Sequence, residues 1–210
     1  MGGGGNATGL GEGDPTLKNY LPAASDLPPG YAPFGEFTFR TPDGVSKTGG
    51  IDIAASMAFS GDITSGDPSN VGILMTMAMK PDDLQSLGDA FNQFKNLTQR
   101  DLEDALKQGT GDAQGFALKD VRVLDASGLG DGAAGFQMTI DLSALSNAFG
   151  GQTGVAGAPK LSSMTMRMYM FARGDYAGAV IRMGFADDLA NNVDELALAR
   201  VIDRKLKAAP

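Results

Sequence analysis

Residues 161–185 read LSSMTMRMYMFARGDYAGAVIRMGF, and their alternation decides the fold. Side chains on a strand point to opposite faces in turn. In the first arm Met164, Met166, Met168, Met170 and Ala172 share one face, and Thr165, Arg167, Tyr169 and Phe171 share the other. Arg173, Gly174 and Asp175 supply the turn, because Gly and Asp tolerate the positive φ of a tight hairpin. In the second arm Ala177, Ala179, Ile181, Met183 and Phe185 share a face, opposite Tyr176, Gly178, Val180, Arg182 and Gly184. Each arm has one wholly apolar face and one mixed face. That pattern predicts a long antiparallel hairpin in the middle of a sheet, lying on a core.

Working outward, the same period of two recurs. Phe37 and Phe39 alternate with Glu36, Thr38 and Arg40 in a first strand, and Ile51, Ile53, Ala55, Met57 and Phe59 alternate in a second. Val71, Ile73, Met75, Met77 and Met79 form the inward face of a third. The period then changes. Pro81 opens a helix with Asp82 and Asp83 in its first turn, and Leu84, Leu87, Phe91 and Phe94 make one stripe. Thr98 with Asp101 caps a further helical stretch carrying Leu102 and Leu106. Val121 and Val123 mark a fourth strand, and Phe136, Met138, Ile140 and Leu142 a fifth; residues 149–160 read as a mobile loop. Asp187 and Asp188 precede a closing helix that runs to about Lys207, with Val193, Leu196, Leu198, Val201, Ile202 and Leu206 as its apolar set.

Strands on either side of a helical insert, plus a closing helix, predict an α+β fold. Its sheet should hold about seven strands, mostly antiparallel, with helices packed on it that include a C-terminal one. Residues 1–24, which begin MGGGGNATGLGEGDPT, read as a flexible Gly-rich tether, and 25–210 as a single α+β domain.

Composition excludes more than it suggests. The chain has 210 residues, 42% of them hydrophobic, enough for one domain with a substantial core. A net charge of -8, with no cluster of Lys or Arg, gives no electrostatic reason to bind nucleic acid or an anionic membrane. With His 0 and Cys 0, no Ser-His or Cys-His nucleophile and no His/Cys zinc site can form, and S-x-x-K is absent as well. The expectation is therefore a non-enzyme without metal or cofactor. No apolar run approaches the roughly 18 residues that span a bilayer.

Four constellations bear on function. The first is the methionines at alternate strand positions, Met75, Met77 and Met79, and Met164 to Met170. They read as adaptable core filling, as the wall of a cavity for a flexible apolar ligand, or as soft Cu(I) ligands. Second, Gly128, Gly130 and Gly132 are spaced like part of a phosphate-binding loop, but a strand pattern follows where the nucleotide fingerprint needs a helix, so they read as a turn. Third, the clustered carboxylates Asp82/Asp83, Asp101/Glu103/Asp104, Asp187/Asp188 and Asp194/Glu195 fall mostly at helix starts, where caps and the helix dipole explain them. Fourth, Arg167 and Tyr169 with Tyr176 and Arg182 on the mixed face of the hairpin are the candidate surface for recognition, since Tyr and Arg are enriched at hot spots. The alternative for these four is an ordinary outer face, or one covered by a helix.

Three segments, SDLPPGY (25–31), GLGDGAAGFQMTIDL (128–142), and FARGDYAGAVIRMGF (171–185) followed by LARVIDRKL (198–206), resemble the small extracytoplasmic lipoproteins and sensor-like domains of Gram-positive and related bacteria. Some of these adopt a Mog1/PsbP-like α/β sandwich. The resemblance covers about the last third of the chain and one N-terminal segment, and it carries over no catalytic residue. It implies a place outside the cytoplasm, secreted or held at the membrane only through an N-terminal lipid anchor, with the Gly-rich start as tether; this sequence holds no lipobox Cys. The functional expectation is a non-enzymatic binding or accessory module of a bacterial cell envelope, whose partner is an unidentified protein or a hydrophobic small molecule. The first alternative is a carrier of a lipid-like ligand in a Met-lined cavity, and the lesser one a Met-rich Cu(I)-binding protein.

Overall fold

The computed structural model describes residues 10–42, 50–61, 71–83, 100–101, 117–143, 163–185 and 193–209. Seven strands form one sheet: β1 (Tyr31–Arg40), β2 (Ile51–Ser60), β3 (Gly72–Pro81), β4 (Ala117–Leu124), β5 (Gly132–Asp141), β6 (Ser163–Arg173) and β7 (Tyr176–Gly184). Their order is β1-β2-β3-β7-β6-β5-β4, and every neighbouring pair is antiparallel. The predicted hairpin is β6–β7, at the centre of the sheet. Its arms pair from Thr165↔Gly184 to Arg173↔Tyr176, and Gly174 and Asp175 make the turn, with Gly174 at φ 52°. The architecture is sheet-dominated, with a C-terminal helix and short 3-10 turns around it. The helix expected to open at Pro81 does not begin there: Pro81 ends β3, and Asp82 and Asp83 follow it outside any helix. The rest of the helices read at 81–106 lies outside the described residues, apart from Arg100 and Asp101, which are helical. Asp187, Asp188 and the loop at 149–160 also lie outside them.

The C-terminal helix, α1 (Glu195–Lys207), is built as its sequence prescribes. Asp194 caps it, its carboxylate accepting the Ala197 N–H at 2.8 Å, and Arg204, Lys205 and Lys207 occupy the last turn, where the dipole favours cations. Leu198, Ala199, Ile202 and Leu206 are 0–3% exposed and pack on β6 and β7 with Phe171, Tyr169 and Val180. Each large apolar side chain buried in this way contributes about 2 kcal/mol of transfer free energy. Close approach requires Gly178, because a Cβ there would meet the Phe171 ring and lie 3.1 Å from Ile202 Cγ2.

Two further expectations are corrected. The methionine side of β3 was expected to face inward. The more deeply buried side is the alternate one, where Leu74, Thr76 and Ala78 are 0–2% exposed, while Met75, Met77 and Met79 are half-buried. The reason is that α1 and the segment Pro15–Tyr20 both lie on the mixed face of the hairpin: Leu74 joins the cluster beneath α1, and Ala78 is covered by Leu17 and Leu21. Residues 10–24 were read as part of a tether, yet Gly13, Leu17, Leu21 and Pro22 within them are buried. Gly11 bridges Arg40 by two backbone hydrogen bonds of 2.9 Å, and η1 (Pro15–Tyr20) follows. Leu17 and Leu21, 0% and 2% exposed, sit on Ala54 and Ala78. Asp14 caps η1 through Thr16, and Pro15 opens it. η2 (Ala24–Asp26) then leads into β1.

Candidate binding face

The two faces of the sheet differ in chemistry as sharply as in depth. The register places Arg167 opposite Arg182, Tyr169 opposite Val180 and Phe171 opposite Gly178, all beneath α1. Arg182 is 1% exposed; its Nη1 donates to Glu195 Oε1 at 2.9 Å, and Glu195 is 4% exposed. Arg167, on the half-exposed rim, donates from Nε to Gln137 Oε1 at 2.7 Å and lies 3.8 Å from the second Glu195 oxygen. Tyr169 is buried, and burial with the nearby Glu195 carboxylate pushes its phenol above the ordinary value. Tyr176 stands at the other end of the hairpin, tilted against Tyr20 at 5.5 Å, with Lys80 Nζ 5.8 Å from its ring centroid.

Three of the four recognition candidates are therefore neighbours and Tyr176 is apart from them, but they do not form a displayed patch. Arg182 and Tyr169 face the helix, because a buried guanidinium needs a carboxylate and α1 brings Glu195 to it. Glu195 was read only as a helix-start acid. The signal for its second role is the run of small residues Gly178 and Gly184 on the same face as Arg182, which marks close approach of another element.

The opposite face carries no polar strand side chain across the paired positions. From β1 to β4 it presents Phe37 and Phe39, then Ile53, Ala55, Met57 and Phe59, then Ile73, Met75, Met77 and Met79. Ala177, Ala179, Ile181 and Met183 follow, then Met164, Met166, Met168 and Met170, then Ala134, Phe136, Met138 and Ile140, and finally Val121 and Val123. Of 11 methionines in the chain, every one after Met1 lies on this face. Among the described residues no helix packs on it, and most of its methionines are half-buried. At its β1 end Phe34 is 68% exposed and meets Phe59 edge-on at 5.0 Å, and Phe37, 39% exposed, stacks on Phe39 at 6.4 Å. At its β4 end Val123 is 55% exposed.

Acidic pairs that the structure brings together each enclose an arginine. Arg173 is held by both oxygens of Asp203, at 2.6 and 2.7 Å, and by Asp131 at 2.8 Å, and its guanidinium is held protonated more firmly than usual by Asp203 above all. Arg40 lies between Asp52 and Asp82. Carboxylates engaged in this way brace the fold; Asp131 also accepts the Gly174 N–H and so pins the central turn to the start of β5. The Gly-rich segment 128–132 is the β4–β5 turn, beside a cavity of about 480 Å³ lined by residues 123–136. Among the described residues there is no group of three or more Asp and Glu able to hold a metal ion. No described helix is long and apolar enough to cross a membrane.

No family model matches the chain, and neither a curated protein nor a solved structure does.

Proposed function

We propose that this chain is a non-enzymatic binding module that carries a lipid-like, hydrophobic ligand on its methionine face. The observation that carries the reading is the contrast between faces. Both are apolar enough to be core, yet one carries α1, while on the other no described helix packs and nine of its ten methionines are half-buried side chains that repack at little cost. Seven strands about 4.8 Å apart and about 30 Å long give that face a footprint on the order of 900 Å², within which Val121, Ala55, Ala177 and Ala179 are 0–1% exposed and the methionines around them are mostly half-buried. The absence of His and Cys from the chain supports a role without covalent or metal chemistry. The resemblance to extracytoplasmic lipoproteins supports a place outside a bacterial cytoplasm, where a carrier of this kind would be secreted or lipid-anchored. A second reading, a Cu(I) site, draws on the register that sets Met138, Met166 and Met183 side by side on three adjacent strands.

The test is titration with a fluorescent C16 fatty acid. Saturable binding is expected, weakened by Phe37→Asp and Val123→Asp, which charge exposed positions at the two ends of the face without opening the core. Binding that these variants leave intact and Arg167→Ala abolishes would move the site to the face under α1 and overturn the proposal.

A further inference from the structure

We propose that the methionine face is a modification surface: oxidation of its half-buried thioethers to sulfoxides by a peroxide-class oxidant turns it from apolar to polar and releases the bound ligand. The release rests on the carrier reading; the modification itself does not. The segregation of methionine carries the inference. If methionine served only to fill gaps, it would appear on both sides of a sheet whose two faces both meet apolar residues. The face under α1 is instead packed with Leu74, Phe171, Val180, Leu198 and Ile202, and contains no methionine.

The chemistry follows from what the chain lacks and what surrounds the sulfurs. With Cys 0, Trp 0 and His 0, the thioethers are its most readily oxidised side chains. In the step, the O–O bond of hydrogen peroxide breaks, one oxygen forms an S–O bond to the thioether, sulfur gives up two electrons, and the peroxide is reduced to water. The product is a strongly polar acceptor. Among the described strand residues, no side chain on this face can donate a hydrogen bond to it, so a sulfoxide there draws in water, with which an apolar ligand competes for the surface. Register spreads the effect. Met138, Met166 and Met183 are directly opposed, as are Met57 and Met75, so each sulfoxide lies beside another thioether. Met138 provides an internal control, because it is only 6% exposed while Met166 and Met168 beside it are half-buried.

The experiment is a peroxide time course on the full chain, read by peptide mass mapping, thermal melting and titration with the C16 probe. Met166 and Met168 are expected to oxidise faster than Met138. The oxidised protein should keep a cooperative melt and bind the probe more weakly by about tenfold or more. A methionine sulfoxide reductase with a thiol reductant should restore binding. The variant Met166→Leu/Met168→Leu/Met170→Leu, which keeps six other half-buried methionines, should lose less of its affinity than the parent after the same treatment. Equal oxidation rates for Met138 and its neighbours would overturn the proposal. So would undiminished probe binding after oxidation, or loss of the cooperative melt, which would make the oxidation damage rather than a switch. Reduced protein that binds no probe would overturn the carrier reading and the release, whereas the mapped rates would still decide the modification surface.

Discussion

Replacing Glu195 by Gln removes one charge from a pair that the fold has taken almost wholly out of water. Arg182 and Glu195 are 1% and 4% exposed, with a donor–acceptor distance of 2.9 Å. At an effective dielectric of about 20, charges at that separation attract by roughly 6 kcal/mol, most of which offsets desolvation. Losing the carboxylate leaves the guanidinium buried against a neutral amide, with Arg167 directly opposite in the register. The expected cost is about 3–5 kcal/mol, a large part of a total that lies between about 5 and 15 kcal/mol for a domain. In urea, with a slope of about 2 kcal/mol per molar, the midpoint should fall by roughly 1.5–2.5 M. The double variant Arg182→Met/Glu195→Leu, which removes both charges and keeps apolar volume, should return to within about 1 kcal/mol of the parent. Arg167→Ala, at the half-exposed rim and 3.8 Å from Glu195, should change stability by no more than about 1 kcal/mol. A Glu195→Gln protein within about 1 kcal/mol of the parent would show that the Glu195 carboxylate is not what holds the Arg182 charge beneath α1.

Three further outcomes are expected. Gly178→Ala should destabilise by about 1–3 kcal/mol in the same urea assay, since its methyl group has to displace the Phe171 ring or Ile202. Arg173→Lys should cost about 1–3 kcal/mol despite keeping the charge, because an ammonium cannot span both oxygens of Asp203 and also reach Asp131; a value near zero would mean the fork geometry contributes nothing. The Thr16 hydroxyl and N–H hold the Asp14 carboxyl below its ordinary value. Its folded-state pKa lies under its unfolded one, so its contribution is complete above about pH 4 and is lost as pH falls through the folded value. A stability profile between about pH 5 and pH 2 should accordingly be shallower for Asp14→Asn than for the parent.

Period-two alternation made the strands legible wherever it was strict. The hairpin 163–184, its Gly-containing turn and the inner strands were all readable from side-chain order alone, as was a closing helix with acidic residues before it and lysines at its end. What alternation does not encode is which face meets the helix. Met164 to Met170 looked like the inward side because they are uniformly apolar, yet the mixed side carries Gly178 and Gly184, which admit a close neighbour, and the buried Arg182, which a helix-borne glutamate neutralises. The packing of Leu17 and Leu21 was hidden by the glycines before them, although Asp14-Pro15-Thr16 is a cap followed by a proline at the first helical position, and that signal was there to be read. Two of the four recognition candidates, Arg182 and Tyr169, are buried beneath α1, the helix-covered alternative, whereas Arg167 and Tyr176 stay partly exposed. Arg and Tyr are enriched at interfaces, but they also complete buried polar contacts, and only the partner distinguishes the two roles.

The carrier reading is tested most directly by native mass spectrometry of the protein as purified, beside a denatured control and a Met168→Lys variant. Added mass in the lipid range is expected that disappears on denaturation and is absent from the variant, whose ammonium would stand on the face between Phe136 and Ile181. A clean mass without adduct, or an adduct of one copper ion alone, would contradict the carrier reading.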